Sequence, residues 1–135
     1  MYQREDASIL KIKEFLSSAA IPILVGMDDI SNDALTFRIA KANDLWFHVH
    51  GAPGSHVLLR TSQSITQADK TSIQEAAQCA AWFSKMRQGG KVPVKYGLVQ
   101  HVRKPHGAKP GAVTIHKEKT IIVRPRIPFG QSDNE

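Results

Sequence analysis

Three short stretches hold most of the side chains able to do chemistry. Asp44-Leu45-Trp46-Phe47-His48-Val49-His50 reads as a strand, and its period of two places Asp44, Trp46, His48 and His50 on one face and Leu45, Phe47 and Val49 on the other. Carboxylate, indole and imidazole on one strand face suit stacking on an unpaired base and hydrogen bonding to its edges. The same pattern also suits a tryptophan that covers a hydrophobic core beside solvated histidines. Gly51-Ala52-Pro53-Gly54-Ser55-His56 is a stiff loop whose glycines bring backbone amides close to an anion, which makes Gly54, Ser55 and His56 candidate ligand contacts. A tight strand connection needs the same residues. Finally, His101 to Gly111 gathers Arg103, Lys104, His106 and Lys109 on a loop stiffened by Pro105 and Pro110. With Lys95, these cations suit phosphate oxygens, contacts that fix position without reading sequence.

Other chemistries fit less well. The glycine loop lacks the Gly-Lys-Ser/Thr ending of a nucleoside-triphosphate site. His48, His50 and His56 could hold zinc, but there is no cysteine pair and no His-Glu-x-x-His helix. A serine hydrolase built on Ser55 would need a Gly-x-Ser-x-Gly elbow, which is absent. The expectation is therefore a binding module with no catalytic residues, metal or cofactor. The rival reading is an RNA-modifying or RNA-processing enzyme, or its accessory subunit, with His48, Asp44 and His56 as acid-base groups. A third is an adaptor that binds a ribosomal protein.

Charge favours a polyanion. The chain has 135 residues and a net charge of +6, and the excess is concentrated: from Lys85 to Arg126 there are eleven Lys/Arg against one acid, Glu118. Such polarity is an electrostatic footprint for nucleic acid, although basic surface also serves solubility. Hydrophobic residues at 41% and this length fit one folded domain. The single cysteine, Cys79, lies among alanines and is expected as a small buried hydrophobe. No leader pattern is present and the apolar runs are too short to span a bilayer, so the expected setting is cytoplasmic with no membrane partner.

The elements that position these stretches follow from periodicity. Residues 5–19 predict an amphipathic helix on Ile9, Ile12, Phe15, Leu16 and Ala19. Strands are expected at 21–26, 35–40, 45–50 and 55–60, with Met27 to Asp33 as a polar hairpin turn. One long helix is expected over about 68–87, ended by Gly89-Gly90. Strands near 92–102, 112–116 and 119–123 complete the order. Short connections favour antiparallel pairing. The fold class is α+β, a largely antiparallel sheet of six or seven strands packed by one long helix. Residues 1–20 form an N-terminal helix packed on the domain, 21–126 the domain itself and 127–135 a flexible tail.

Several ordered motifs resemble the NFACT-R domain: Ile23-Leu24-Val25-Gly26, Asn32-Asp33-x-Leu35-Thr36, Asp44-x-Trp46-x-His48 and Pro53-Gly54-Ser55-His56-Val57. Glu75-Ala76-Ala77, Ala80 to Lys85, Val92-Pro93-Val94-x-Tyr96, Lys104-Pro105-x-Gly107-Ala108-Lys109-Pro110-Gly111 and Lys119-Thr120-Ile121-x-Val123-x-Pro125 continue the resemblance in order. It covers about residues 20–125. It implies an RNA partner, tRNA or large-subunit rRNA on the ribosome, and a part in ribosome-associated quality control, since the family's larger proteins act there. One departure stands out: Met27-Asp28-Asp29 follows Val25-Gly26 where the family commonly has Arg-Asn.

Overall fold

The computed structural model describes residues 10–63 and 69–132. Six strands form one antiparallel sheet in the order β1-β2-β4-β3-β5-β8, from β1 (Ile12–Leu16), β2 (Pro22–Gly26), β3 (Leu45–Val49), β4 (Val57–Leu59), β5 (Val92–Leu98) and β8 (Lys119–Val123). A separate two-stranded ribbon pairs β6 (Val102–Arg103) with β7 (Thr114–Ile115). The helices are α1 (Asp29–Ala34), continued by a π-helical turn (Leu35–Ile39), and α2 (Lys70–Trp82). The α+β class and the antiparallel sheet agree with the sequence reading.

Three expectations need correction. The N-terminal amphipathic helix is replaced over Ile12–Leu16 by β1, paired in register with β2 from Ile12↔Gly26 to Leu16↔Pro22. The remainder of that expected helix before Leu10 lies outside the described residues. Ile12, Phe15 and Leu16 satisfy a helical pattern, but the pairing with β2 decides: Phe15 is buried and Leu16 is exposed.

The expected hairpin turn at 27–33 and strand at 35–40 are instead α1 and its π-helical extension. Asp28 caps this helix by accepting from the Ser31 amide at 2.8 Å, and hydrogen bonding from the Ser31 side chain first, then from this amide, holds its carboxyl below the usual range. The buried side of the element includes Ser31, Asn32 and Thr36, each of which uses its polar group inside the protein. A helix that turns polar residues inward leaves little hydrophobic period to read.

The long helix is shorter than expected, 13 residues from Lys70 to Trp82 with Asp69 as its cap. It stops at Trp82 because the chain beyond it is captured by the 53–55 loop. Ser55 N donates to Phe83 O and Lys85 N to Pro53 O, both at 3.0 Å, while Ser84 Oγ donates to Ala81 O at 2.7 Å.

Both faces of the sheet are covered. On one, Phe47, Val49, Val57, Leu59, Val92 and Val94 meet the α2 alanines Ala76, Ala77, Ala80 and Ala81, whose small side chains allow close helix-to-sheet contact. Cys79 shares this core, fully buried, with its thiol pushed up to about 12 by burial. On the other face, Trp46 and Leu58 pack with Leu35 from the π-helical turn and Val102 from the ribbon. Gly97 lies opposite Trp46 in the β3–β5 register, and a Cβ there would come 3.1 Å from Ile115 Cδ1. Absence of a side chain at 97 is what lets the ribbon settle onto the sheet. Residues 127–132, expected as part of a tail, return to the sheet: Ile127 packs on the core, and Gln131 exchanges hydrogen bonds with the backbone of Leu16.

Candidate nucleic-acid interface

The centre of the candidate interface is a cavity of about 220 Å³ lined by Trp46, His48, His56, Lys95 and residues 111–113. β3 supplies Trp46 and His48, β5 supplies Lys95 directly opposite His48, and His56 sits one residue before β4. The rings form one cluster: Trp46 and His48 stack at 5.9 Å between centroids and 10° between planes. His56 stands edge-on to both, 5.2 Å from Trp46 and 5.7 Å from His48.

His56 is 2% exposed, and both its ring nitrogens are engaged. Nε2 lies 3.0 Å from Gly111 O; a carbonyl only accepts, so Nε2 carries the proton. Nδ1 then accepts from the Thr36 hydroxyl at 2.8 Å. Burial, reinforced by neighbouring His48, pushes its pKa down to about 4, so the ring is neutral at physiological pH. His48 donates from Nδ1 to Val49 O at 2.6 Å. Burial lowers its pKa as well, the Lys95 charge adding to the effect and the Val49 and Gly54 carbonyls opposing it.

The indole N–H of Trp46 is buried without an acceptor, an uncommon state for a buried donor. Lys95 brings an ammonium to the cavity, and none of its lining residues is a carboxylate. A cation without a neighbouring carboxylate suits an anionic group such as a phosphate oxygen.

The basic loop is fastened to this cluster through Gly111. Its amide donates to Asp33 Oδ1 at 2.7 Å, its carbonyl receives His56, and its φ of +86° is a backbone conformation that favours glycine. Lys104, expected as a phosphate contact, is exposed but already engaged: Nζ lies 3.1 Å from Asp33 Oδ1 and donates to Lys109 O at 2.8 Å and Ala112 O at 3.1 Å. It holds the loop closed. Arg103, His106 and Lys109 remain exposed on it, with the Arg103 guanidinium resting on the Val102 carbonyl at 3.0 Å.

Other expected site residues are placed elsewhere. Asp44 is fully buried, bound to Arg60 at 2.8 Å and to the amides of Lys41 and Ser62, so it cannot reach an RNA ligand. Trp46 is 1% exposed and belongs to the second core, not to a displayed stacking face. Gly54 and Ser55 are tied to the end of α2, and the Ser55 amide is already used by Phe83 O. The open phosphate cradle expected there does not form.

Asn32, Asp33 and Thr36 entered the sequence reading only as part of a family motif and not as site residues, although Asn32 Oδ1 accepts from the His56 amide at 3.0 Å. The signal for them was Gly26. A Cβ at 26 would stand 2.1 Å from Asn32 Oδ1, so the glycine marks a close approach of α1. Among the described residues no three His, Cys, Asp or Glu side chains gather as a metal site, and no helix is long and apolar enough to cross a membrane.

A family model described as the NFACT protein RNA binding domain matches residues 11–117. The chain is similar to the Rqc2 homolog RqcH of Bacillus subtilis (strain 168), 42% identical over 114 residues that make up 84% of this chain and 19% of that protein. It is also similar to the Rqc2 homolog RqcH of Streptococcus suis (strain 05ZYH33), 43% identical over 76% of this chain and 18% of the relative. The chain thus spans about a fifth of the length of these curated relatives. Among solved structures, the C-terminal part of the fibronectin/fibrinogen-binding protein from Streptococcus suis superposes with a TM-score of 0.79 and 38% identity, over 86% of this chain and 46% of that one.

Proposed function

The chain belongs to the NFACT protein RNA binding domain family, and from that membership we propose that it is an RNA-binding module of ribosome-associated quality control, with tRNA or large-subunit rRNA as its ligand in the cytoplasm. The observation that carries this reading is the cavity lined by Trp46, His48, His56 and Lys95, with a cation and no carboxylate in its wall, set beside a loop that exposes Arg103, His106 and Lys109. The cavity offers a place for one phosphate or base edge, and the loop offers charge along a backbone. The similarity to Rqc2 homologs supports the quality-control setting.

Binding, not catalysis, is the role the geometry favours. The acid-base trio of Asp44, His48 and His56 does not assemble: the Asp44 carboxylate is committed to Arg60 and two amides, and both His56 nitrogens are occupied. Crosslinking of the tagged protein in cells, followed by sequencing of the nuclease-trimmed RNA, tests the proposal. Enrichment of tRNA or of a discrete large-subunit rRNA site is expected. RNA recovery equal to the uncrosslinked control would leave an adaptor that binds a ribosomal protein as the better reading.

A further inference from the structure

A second hollow of about 400 Å³ lies where the end of α2 meets the 53–55 loop, with Met27, Pro53, Trp82, Lys85 and Arg87 among its walls. Two of the lining residues are cations and none is acidic. The Arg87 guanidinium carbon sits 3.6 Å from the centre of the Trp82 ring, so a cation already rests over the indole. The walls are fixed by the Ser55–Phe83 and Lys85–Pro53 backbone bonds. A Cβ on Gly54 would come 2.8 Å from Ser84 Cβ, which shows how closely loop and helix end are fitted. The hollow is therefore formed before any ligand arrives.

We infer that this hollow is a single-nucleotide subsite, in which an unpaired RNA base joins Trp82 and Arg87 and its phosphate pairs with Lys85. Stacking on indole and guanidinium faces is open to every base, because each has a π-face, and a volume of this order accommodates a nucleotide-sized group. The excess of cations over acids selects an anionic ligand over a neutral aromatic one. The inference rests on the RNA-binding reading and adds to it a base contact that the basic loop, built from phosphate-type donors, does not provide. Gly54 and Ser55 wall this hollow and the next residue, His56, walls the central cavity, so one stretch of backbone separates the two.

Binding of a fluorescein-labelled ten-residue polyadenylate and of the same backbone with abasic sites throughout tests this on the whole chain. Trp82→Ala is expected to weaken polyadenylate binding roughly 5- to 150-fold and to leave the abasic probe unchanged, while Trp82→Phe retains most of the affinity. Lys85→Gln should weaken both probes and make the log-log salt slope shallower by about 0.7. Equal effects of a folded Trp82→Ala protein on both probes, or none on either, would overturn the subsite. Should Trp82→Ala fail to fold by circular dichroism, Arg87→Lys, which keeps the charge and removes the planar group, decides with the same two probes: selective loss of polyadenylate supports the subsite and equal behaviour overturns it. Wild-type protein that binds neither probe, nor tRNA, would remove the RNA-binding reading itself, an outcome distinct from loss of the base contact alone. Trp82-dependent binding of decaglutamate in place of RNA would make this a protein-docking site.

Discussion

Arg60 Nε donates to Asp44 Oδ2 at 2.8 Å with both side chains almost wholly withdrawn from solvent. Removing one partner strands a buried charge, so Asp44→Ala should destabilise the fold by about 3–5 kcal/mol. Replacing both residues with apolar ones of similar volume should do far less damage. Urea unfolding of the two variants checks this. Asp44→Ala protein that keeps its stability and loses only RNA affinity would return Asp44 to the binding surface.

The buried imidazole of His56 makes stability depend on pH. Its pKa is pushed down to about 4 in the native state, below the ordinary value near 6.5. Between those values the unfolded chain binds a proton that the native one refuses, so stability is fully present above about pH 6.5 and declines as pH falls toward 4. The loss approaches about 3 kcal/mol by the lower limit, and His48, lowered in the same direction, adds to it. Urea midpoints at pH 7.5 and 4.5 should differ clearly for wild type and much less for His56→Asn. Equal pH dependence in the two proteins would mean that His56 is not the group responsible.

Trp46 should behave as a core residue. Truncation to Ala removes the largest side chain of the second core and should lower stability by about 3–5 kcal/mol. Trp46→Phe keeps most of the packing while deleting the unpaired indole donor. If that donor serves a ligand in the cavity, the Phe variant stays folded and binds tRNA more weakly. Unchanged affinity would show that the N–H is simply tolerated.

The cations of the basic loop should separate by role. Arg103→Gln with Lys109→Gln removes two exposed cations and should flatten the log-log salt slope of tRNA binding by about 1.4–1.8 without lowering the melting temperature. Lys104→Gln loses its contacts with Asp33 and the Lys109 and Ala112 carbonyls. It should leave the slope almost unaltered and increase amide exchange across 104–112. A full slope change from Lys104 alone would show that its ammonium is not committed to Asp33 and the loop carbonyls.

What the sequence revealed tracks where ordinary periodicity operates. β3, β4, β8 and the alanine-rich core of α2 were legible because apolar residues recur there at the spacing of the element they form. α1 and its π-helical extension were not legible because their buried side carries Ser31, Asn32 and Thr36, whose justification lies in partners far along the chain, Lys11 and His56. The second sheet face was misjudged for a related reason. Nothing in Asp44-Leu45-Trp46-Phe47-His48 discloses that a remote ribbon will cover the indole, although Gly97 opposite Trp46 was its trace. Side-chain type marked the loop at 103–111 as basic, but it could not distinguish Lys104 from Lys109. That distinction depends on Asp33, which folding brings to one of them.

The carboxamide of Gln131 accepts from Leu16 N at 2.8 Å and donates to Leu16 O at 2.9 Å, the pair of bonds a peptide group of an adjoining strand would make. A side chain thus impersonates one residue of a seventh strand at the β1 margin. An uncapped sheet margin invites pairing with another chain, and here the polypeptide's own far end occupies that position. Shortening the protein before residue 131 would expose an adhesive border and promote self-association, with little disturbance to the cavity on the opposite side of β2.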